Sequence, residues 1–294
     1  MTTVHMTDPG GSSLTLLQFK GFNFPTFDPV ALENLETFEF RDDDVLISAF
    51  PKAGTHWLWE IARMLVAGNA ELPVLEKDDF MIEFNPSKEY FNSMPSPRIL
   101  NTHVLYRHLP GLHNRKCKII YVTRDPRDVA VSFYNHHRKL TSYYHYDGTW
   151  DNYFELFING NVDYGCCLDH MRDWEDVIAA HPELNILVTS YEDLQENPVK
   201  EITRLAEFLG KSYEPSFIET VRAKCSFDSM RDRKGNMDAT SYGEAIMYRK
   251  GKSGDWRNWF NDDQAKRMDE KFREKMDGSQ LNVRYSFTTQ SRSE

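Results

Sequence analysis

The chain has 294 residues, 40% apolar and 13% aromatic, enough for a substantial core in one domain. Its 35 Lys and Arg stand against 45 Asp and Glu, a formal net charge of −10. That balance argues against nucleic-acid or anionic-membrane partners, so any anionic ligand must be met by a locally basic pocket.

In chain order, residues 1–21 are rich in Gly, Ser and Thr and are expected to form a flexible N-terminal arm. Residues 289–294 are expected to fray as a tail, leaving 22–288 as the single folded domain. No basic stretch is followed by an apolar one near Met1, and no apolar run approaches the ~20 residues of a membrane span. The four cysteines (Cys117, Cys166, Cys167, Cys225) lack C-x-x-C spacing, which fits reduced thiols in a cytoplasmic protein and no metal site.

Four short apolar runs, at 45–50, 98–101, 118–122 and 185–189, carry β-branched residues and alternate with longer helical patterns. Short continuous apolar runs are what strands buried on both faces look like. Thr149 can cap a helix over 150–159 with Gly160 ending it, and Asn197-Pro198 opens another that Gly210 closes. The alternation predicts an α/β fold, a central parallel sheet flanked by helices, with ligands beyond the carboxyl ends of its strands.

The first run feeds Phe50-Pro51-Lys52-Ala53-Gly54-Thr55-His56-Trp57, after which a helical pattern runs to residue 67. Free N–H groups at such a corner bind phosphate-like anions. A Walker loop carries its lysine after the second glycine, whereas Lys52 precedes Gly54, so an ATPase loop is not indicated. Taken alone, the stretch fits an ordinary strand–turn–helix corner equally well. After the third run come Arg124, just past a strand end, and Ser132, one to two turns into the next helix. A guanidinium there can grip a phosphate through two parallel hydrogen bonds. A third basic cluster is Tyr248-Arg249-Lys250-Gly251, followed by Gly254-Asp255-Trp256. Three separated basic elements suit a ligand that is anionic at both ends.

These three motifs, in this order and spacing, resemble those of the cytosolic sulfotransferases, which use 3′-phosphoadenosine 5′-phosphosulfate (PAPS) and release 3′-phosphoadenosine 5′-phosphate (PAP). The family's phosphosulfate loop reads roughly Y-P-K-S-G-T-x-W and its C-terminal element R-K-G-x-x-G-D-W; the likeness runs from about residue 40 to 282. The resemblance implies that Lys52, Ala53, Gly54, Thr55 and His56 hold the phosphosulfate, with Lys52 at the leaving oxygen. It implies that Arg124, Ser132, Arg249, Lys250 and the Gly251 backbone hold the 3′-phosphate. Trp57, Phe227, Met230 and Cys225 would surround the adenine, and Tyr191 would hydrogen-bond its edge. His103, in Asn101-Thr102-His103, aligns with the family's catalytic histidine and becomes the candidate general base, a role for which a histidine suits neutral pH. His136 and His137 are expected to pack or to be solvated. No metal is required where fixed cations neutralise the charge.

Three departures stand out. Ala53 replaces a serine hydroxyl that in the family restrains the loop lysine. Asn101 replaces a lysine, so a cation near the transferring group must be missed or supplied by another basic group. The family's dimer segment aligns with Arg257, Asn261-Asp262 and Lys266 but loses its Thr-Val pair, which implies a monomer or a dimer built on another contact. Phe80, Met81, Phe84 and Tyr143, with Tyr90, Phe91, Tyr144 and Tyr146 nearby, are the candidate walls for a small hydrophobic or phenolic acceptor. Three other functions are compatible with parts of this pattern: a weakened PAP- or PAPS-binding homologue, a dehydratase acting through transient sulfonation of an alcohol, and a P-loop kinase. The last lacks a Walker lysine.

Overall fold

The four apolar runs pair side by side, which is what burial on both faces requires. The computed structural model describes residues 1–113, 115–234 and 248–288. Its strands and helices, in chain order, begin with β1 (Thr2–Thr7), β2 (Ser13–Phe19), β3 (Phe22–Phe24), α1 (Pro29–Asn34), β4 (Val45–Ala49) and α2 (Thr55–Ala67). They continue with α3 (Lys88–Ser93), β5 (Ile99–Thr102), β6 (Lys118–Thr123), α4 (Pro126–Lys139), α5 (Trp150–Ile158) and α6 (Cys167–Ala180). The chain closes with β7 (Asn185–Ser190), α7 (Tyr191–Glu196), α8 (Pro198–Phe208), α9 (Pro215–Lys224), α10 (Phe227–Lys234) and α11 (Asp262–Met276).

Strands β5-β4-β6-β7 form a parallel sheet in that order. Successive side chains of a strand point to opposite faces. Accordingly Leu46, Leu100, Ile119 and Tyr121 join one core cluster, and Val45, Ile47, Ile120 and Val122 join another. The register pairs Val45 with both Ile99 and Lys118, and Lys118 with Asn185, so the strands start level and end close together. The residues just past those ends (Lys52, His103, Arg124 and Tyr191) are thereby brought to one edge.

Helix ends follow the expected chemistry. Thr149 caps α5, its hydroxyl accepting from the Asn152 N–H. At α8, Pro198 occupies the first turn, but the Asn197 side chain makes no capping bond.

The first twenty-one residues are not a loose arm. β1 and β2 form an antiparallel hairpin with Val4 opposite Leu16, and β3 extends it. Alternation places Leu14 and Leu16 inward, where both are fully buried. Asp8 closes the turn by accepting from the Gly10 and Ser12 N–H groups, and it takes the Tyr146 hydroxyl at 2.6 Å. The period-two pattern at Leu14 and Leu16 outweighs the Gly/Ser content. The expected tail at 289–294 lies outside the described residues.

Candidate functional site

A large cleft of about 340 Å³ opens at the carboxyl edge of the parallel sheet. It gathers Lys52, Gly54, Thr55, His56, Trp57, His103, Arg124, Ser132, Tyr191, Cys225, Phe227, Met230, Arg249, Lys250 and Gly251. Every candidate anion-binding or catalytic side chain named above thus lines it, apart from Ala53, which is buried in the core behind the loop.

The loop after β4 is bent for backbone donation. Lys52 takes a left-handed conformation (φ 67°) and Gly54 has φ 113° at the N-cap of α2. Gly54 is demanded twice over. Its φ suits only glycine, and a Cβ there would lie 2.9 Å from the Tyr191 ring. No side chain caps α2, so its first N–H groups remain available to a ligand.

Arg124, on the loop after β6, donates to the Lys52 carbonyl at 2.8 Å and stacks on Tyr191 with its guanidinium 4.1 Å from the ring centre. Its Nε is buried with no partner among the described residues. Tyr191 also meets Trp57 edge to face at 5.4 Å. Residues 248–252 line the same cleft. Asp255 pairs with Arg249 at 2.5 Å and Lys250 at 2.6 Å. Asp128 accepts from the Gly254 and Trp256 N–H groups at 2.5 and 3.0 Å, tying that segment to α4. Gly251 (φ 62°) lies so close to Phe227 that a Cβ would overlap its ring at 2.1 Å. These orphaned and backbone donors, with two aromatic rings beside them, fit a nucleotide carrying anions at both ends.

His103 sits at the end of β5, 8% exposed. Its Nδ1 donates to the Ala49 carbonyl at 2.7 Å, since a carbonyl can only accept. That bond fixes the tautomer and leaves the lone pair on Nε2. Burial first, then the Lys77 ammonium, push its pKa down to about 3, so the ring is a neutral base. Its backbone is braced from both sides. Glu83 accepts the His103 N–H at 2.6 Å and the Thr102 hydroxyl at 2.8 Å. His170 Nε2 donates to the His103 carbonyl at 3.1 Å, and its Nδ1 therefore accepts the Tyr121 hydroxyl at 3.0 Å.

Two expectations require correction. Phe80 does not line the cleft; it packs on Trp59 at 5.0 Å and Tyr90 at 6.1 Å, whereas Met81, Phe84 and Tyr143 do line it. His136 is neither core nor solvated. It lines the cleft, and its Nδ1 accepts from Lys52 Nζ at 3.4 Å. Burial and then Lys52 hold its pKa well below the usual value, so it too is neutral. The charge missing at Asn101 is present nearby. The Lys77 ammonium lies 2.7 Å from Asn101 Oδ1 and lines the cleft. His137 is structural, as expected, held by Asp163 at 2.7 Å and Tyr153 at 2.9 Å.

Sequence reasoning also missed Pro25, Phe27, Asp78, Asp163, Tyr164 and Gln195 on the cleft wall. Phe27 was within reach of inference, because it follows the same aromatic-rich logic as Phe84, which it meets edge to face at 5.1 Å. Among the described residues, no group of three or more His, Cys, Asp and Glu is placed to hold a metal ion. No described helix is long and apolar enough to cross a membrane.

A family model described as "Sulfotransferase domain" matches residues 42–280. Mouse sulfotransferase 1A1 is 34% identical over 289 residues, covering 92% of this chain and 97% of that one. Human sulfotransferase 1C2 is 32% identical, covering 94% and 98%. Among solved structures, mouse sulfotransferase SULT7A1 complexed with PAP superposes with a TM-score of 0.74 at 31% identity, covering 89% of this chain and 94% of that one. A retinol dehydratase bound to androsterone and PAP gives the same score at 21% identity, a likeness of fold alone.

Proposed function

The chain belongs to the sulfotransferase family, and from that premise we propose that it moves a sulfonyl group from PAPS to the hydroxyl of a small aromatic or apolar acceptor. The observation that carries this reading is the tautomer of His103: a neutral, buried imidazole with its Nε2 lone pair on the wall of the cleft that also holds Lys52. PAPS, when bound, supplies the sulfonyl group and a phosphate on which charge grows as that group leaves.

The residues divide the work. Arg124 Nε and Ser132, with Arg249, Lys250 and the Gly251 backbone, would hold the 3′-phosphate. The α2 N-terminus and the loop N–H groups would hold the 5′ end. Trp57, Phe227 and Tyr191 would bracket the base. Lys52 would neutralise the leaving oxygen, and His103 Nε2 would take the acceptor's proton. Met81, Phe84, Tyr143 and Phe27 would shape the acceptor pocket.

The aligned dimer segment supports a monomer, or a dimer built on another surface. Asn261 is used within the chain as the capping-box residue of α11, and Lys266 lies 4.0 Å from Glu270.

Incubation with sulfur-labelled PAPS and a panel of phenols and alcohols tests the reading. Labelled sulfate esters are the expected products. Tight PAP binding with no transfer to any acceptor, and no dehydrated product, would leave a nucleotide-binding homologue instead.

A further inference from the structure

Lys77 is 2% exposed, yet it lines the cleft. A buried ammonium is costly unless its donors are used. Two of its three N–H groups are placed, on Asn101 Oδ1 at 2.7 Å and on Asp78 Oδ1 at 3.0 Å. The third has no acceptor among the described residues.

The side chain is held in position from several directions. Asn101 Nδ2 donates back to the Lys77 carbonyl at 3.0 Å, so amide and lysine grip each other reciprocally. The Phe80 and Met81 N–H groups donate to the carbonyls of Lys77 and Asp78, both at 3.0 Å, closing a tight turn. The turn is fastened to the sheet edge, where Met81 bridges to Asn101 and the Ile82 N–H donates to the Asn101 carbonyl at 3.1 Å. Three side chains feel the charge. His56 and His103 are both pushed down by burial and then by Lys77, and Asp78, against the opposing effect of burial, is held well below the carboxylate range by Lys77.

We propose that Lys77, fixed by Asn101 and Asp78, is a catalytic residue that donates its remaining N–H to the transferring sulfonyl group on the acceptor side, opposite the charge that Lys52 meets on the leaving side. Asn101 is then a positioning residue for Lys77, and a neutral side chain is what that position requires. A second cation there would face the Lys77 ammonium across the present 2.7 Å contact. This inference rests on the sulfotransferase reading above.

Lys77→Met tests it, with PAPS and PAP binding measured by calorimetry beside turnover. The two nucleotides differ by the sulfonyl group, so their affinity ratio reads contact with that group independently of activity. The expected result is PAP affinity within about twofold of the parent, PAPS affinity lowered about fivefold or more, and kcat lowered ~10²–10³-fold. Because a lysine at 101 starts within reach of the same point, adding Asn101→Lys to Lys77→Met is expected to recover at least tenfold in kcat. An unchanged PAPS-to-PAP ratio, or kcat within about threefold of the parent, overturns the proposal. Should Lys77→Met not fold, Asn101→Ala serves. It leaves the ammonium but removes its anchor, and it is expected to lower kcat about tenfold at unchanged PAP affinity; unchanged kcat overturns the proposal. If the parent chain itself transfers nothing, the sulfotransferase reading fails rather than this one.

Discussion

Gly54→Ala separates the strain of the anion loop from its ligand geometry. The backbone at Gly54 has φ 113°, outside the region open to a residue with a Cβ, and forcing alanine there costs about 1–3 kcal/mol. For a domain of this size that corresponds to a Tm lower by roughly 2–12 °C. The new Cβ would also lie 2.9 Å from Tyr191, closer than carbon atoms tolerate. Tyr191 must then shift, and with it Arg124, stacked 4.1 Å above it, and Trp57, 5.4 Å away. PAP affinity is expected to fall about tenfold or more, since 1.4 kcal/mol of lost contact is a factor of ten. Gly68→Ala is the internal control. It also demands a left-handed residue (φ 62°) and caps the other end of α2, but its Cβ would meet only Tyr213 at 3.4 Å. Both variants should lose stability in thermal unfolding, and only Gly54→Ala should lose PAP affinity in calorimetry. Equal PAP affinities for the two variants would refute the link between the glycine, Tyr191 and the nucleotide.

His103→Ala should lower kcat ~10²–10⁴-fold while PAP binding stays within twofold; full activity would remove it as the base. In the parent, kcat/KM should show no loss attributable to His103 between pH 8 and 5, because its pKa lies at about 3 and the base form persists. An acidic limb near pH 6.5 that disappears in His103→Ala would contradict this. Arg124→Lys should weaken PAP by about 1.5–3 kcal/mol but leave AMP, which lacks the 3′-phosphate, little changed; equal losses for both would place Arg124 elsewhere on the ligand. Glu192 is buried with Oε2 unpartnered, and burial raises its pKa from 4.5 to about 7. Its contribution to stability is therefore present below pH 4.5 and lost as pH rises through 7, about 3 kcal/mol in all. Glu192→Gln should accordingly flatten the stability profile between pH 5 and 8, and an unchanged slope would show that Glu192 is not the titrating group.

The sheet was legible because its strands are buried on both faces and read as unbroken apolar runs; each run proved a strand to within a residue or two. The gathering of Lys52, Arg124 and Tyr191 in one cleft was legible for a related reason. Lys52, Arg124 and Tyr191 immediately follow strands or loops, so their place in the chain fixes their place in space. The N-terminal hairpin was missed because Gly10 and Gly11 look like disorder until Leu14 and Leu16 are counted in steps of two. Lys77 and His136 were missed because nothing local marks them. Lys77 reaches the cleft only through the turn that fastens Met81 to Asn101, and His136 faces it only because α4 presents that side. Phe80 and Met81 are neighbours in sequence, yet only Met81 lines the cleft, while Phe80 packs on Trp59 and Tyr90.

The C-terminal segment binds the front of the sheet by contacts that span most of the chain. Arg127, fully buried, is sandwiched between Trp256 and Tyr285, each 3.9 Å from its guanidinium, and Thr123 donates its hydroxyl to the Asn282 carbonyl at 2.5 Å. During synthesis the four strands emerge long before Trp256 and Tyr285 do. Until those aromatics arrive, Arg127 has only Asp125 as a partner and the mouth of the cleft has no Arg249 or Lys250. A ribosome-bound chain halted before residue 249 would therefore carry the sheet, Lys52 and Arg124 without the Arg249 and Lys250 that line the same cleft. The cleft is thus completed late, by residues from the last sixth of the polypeptide.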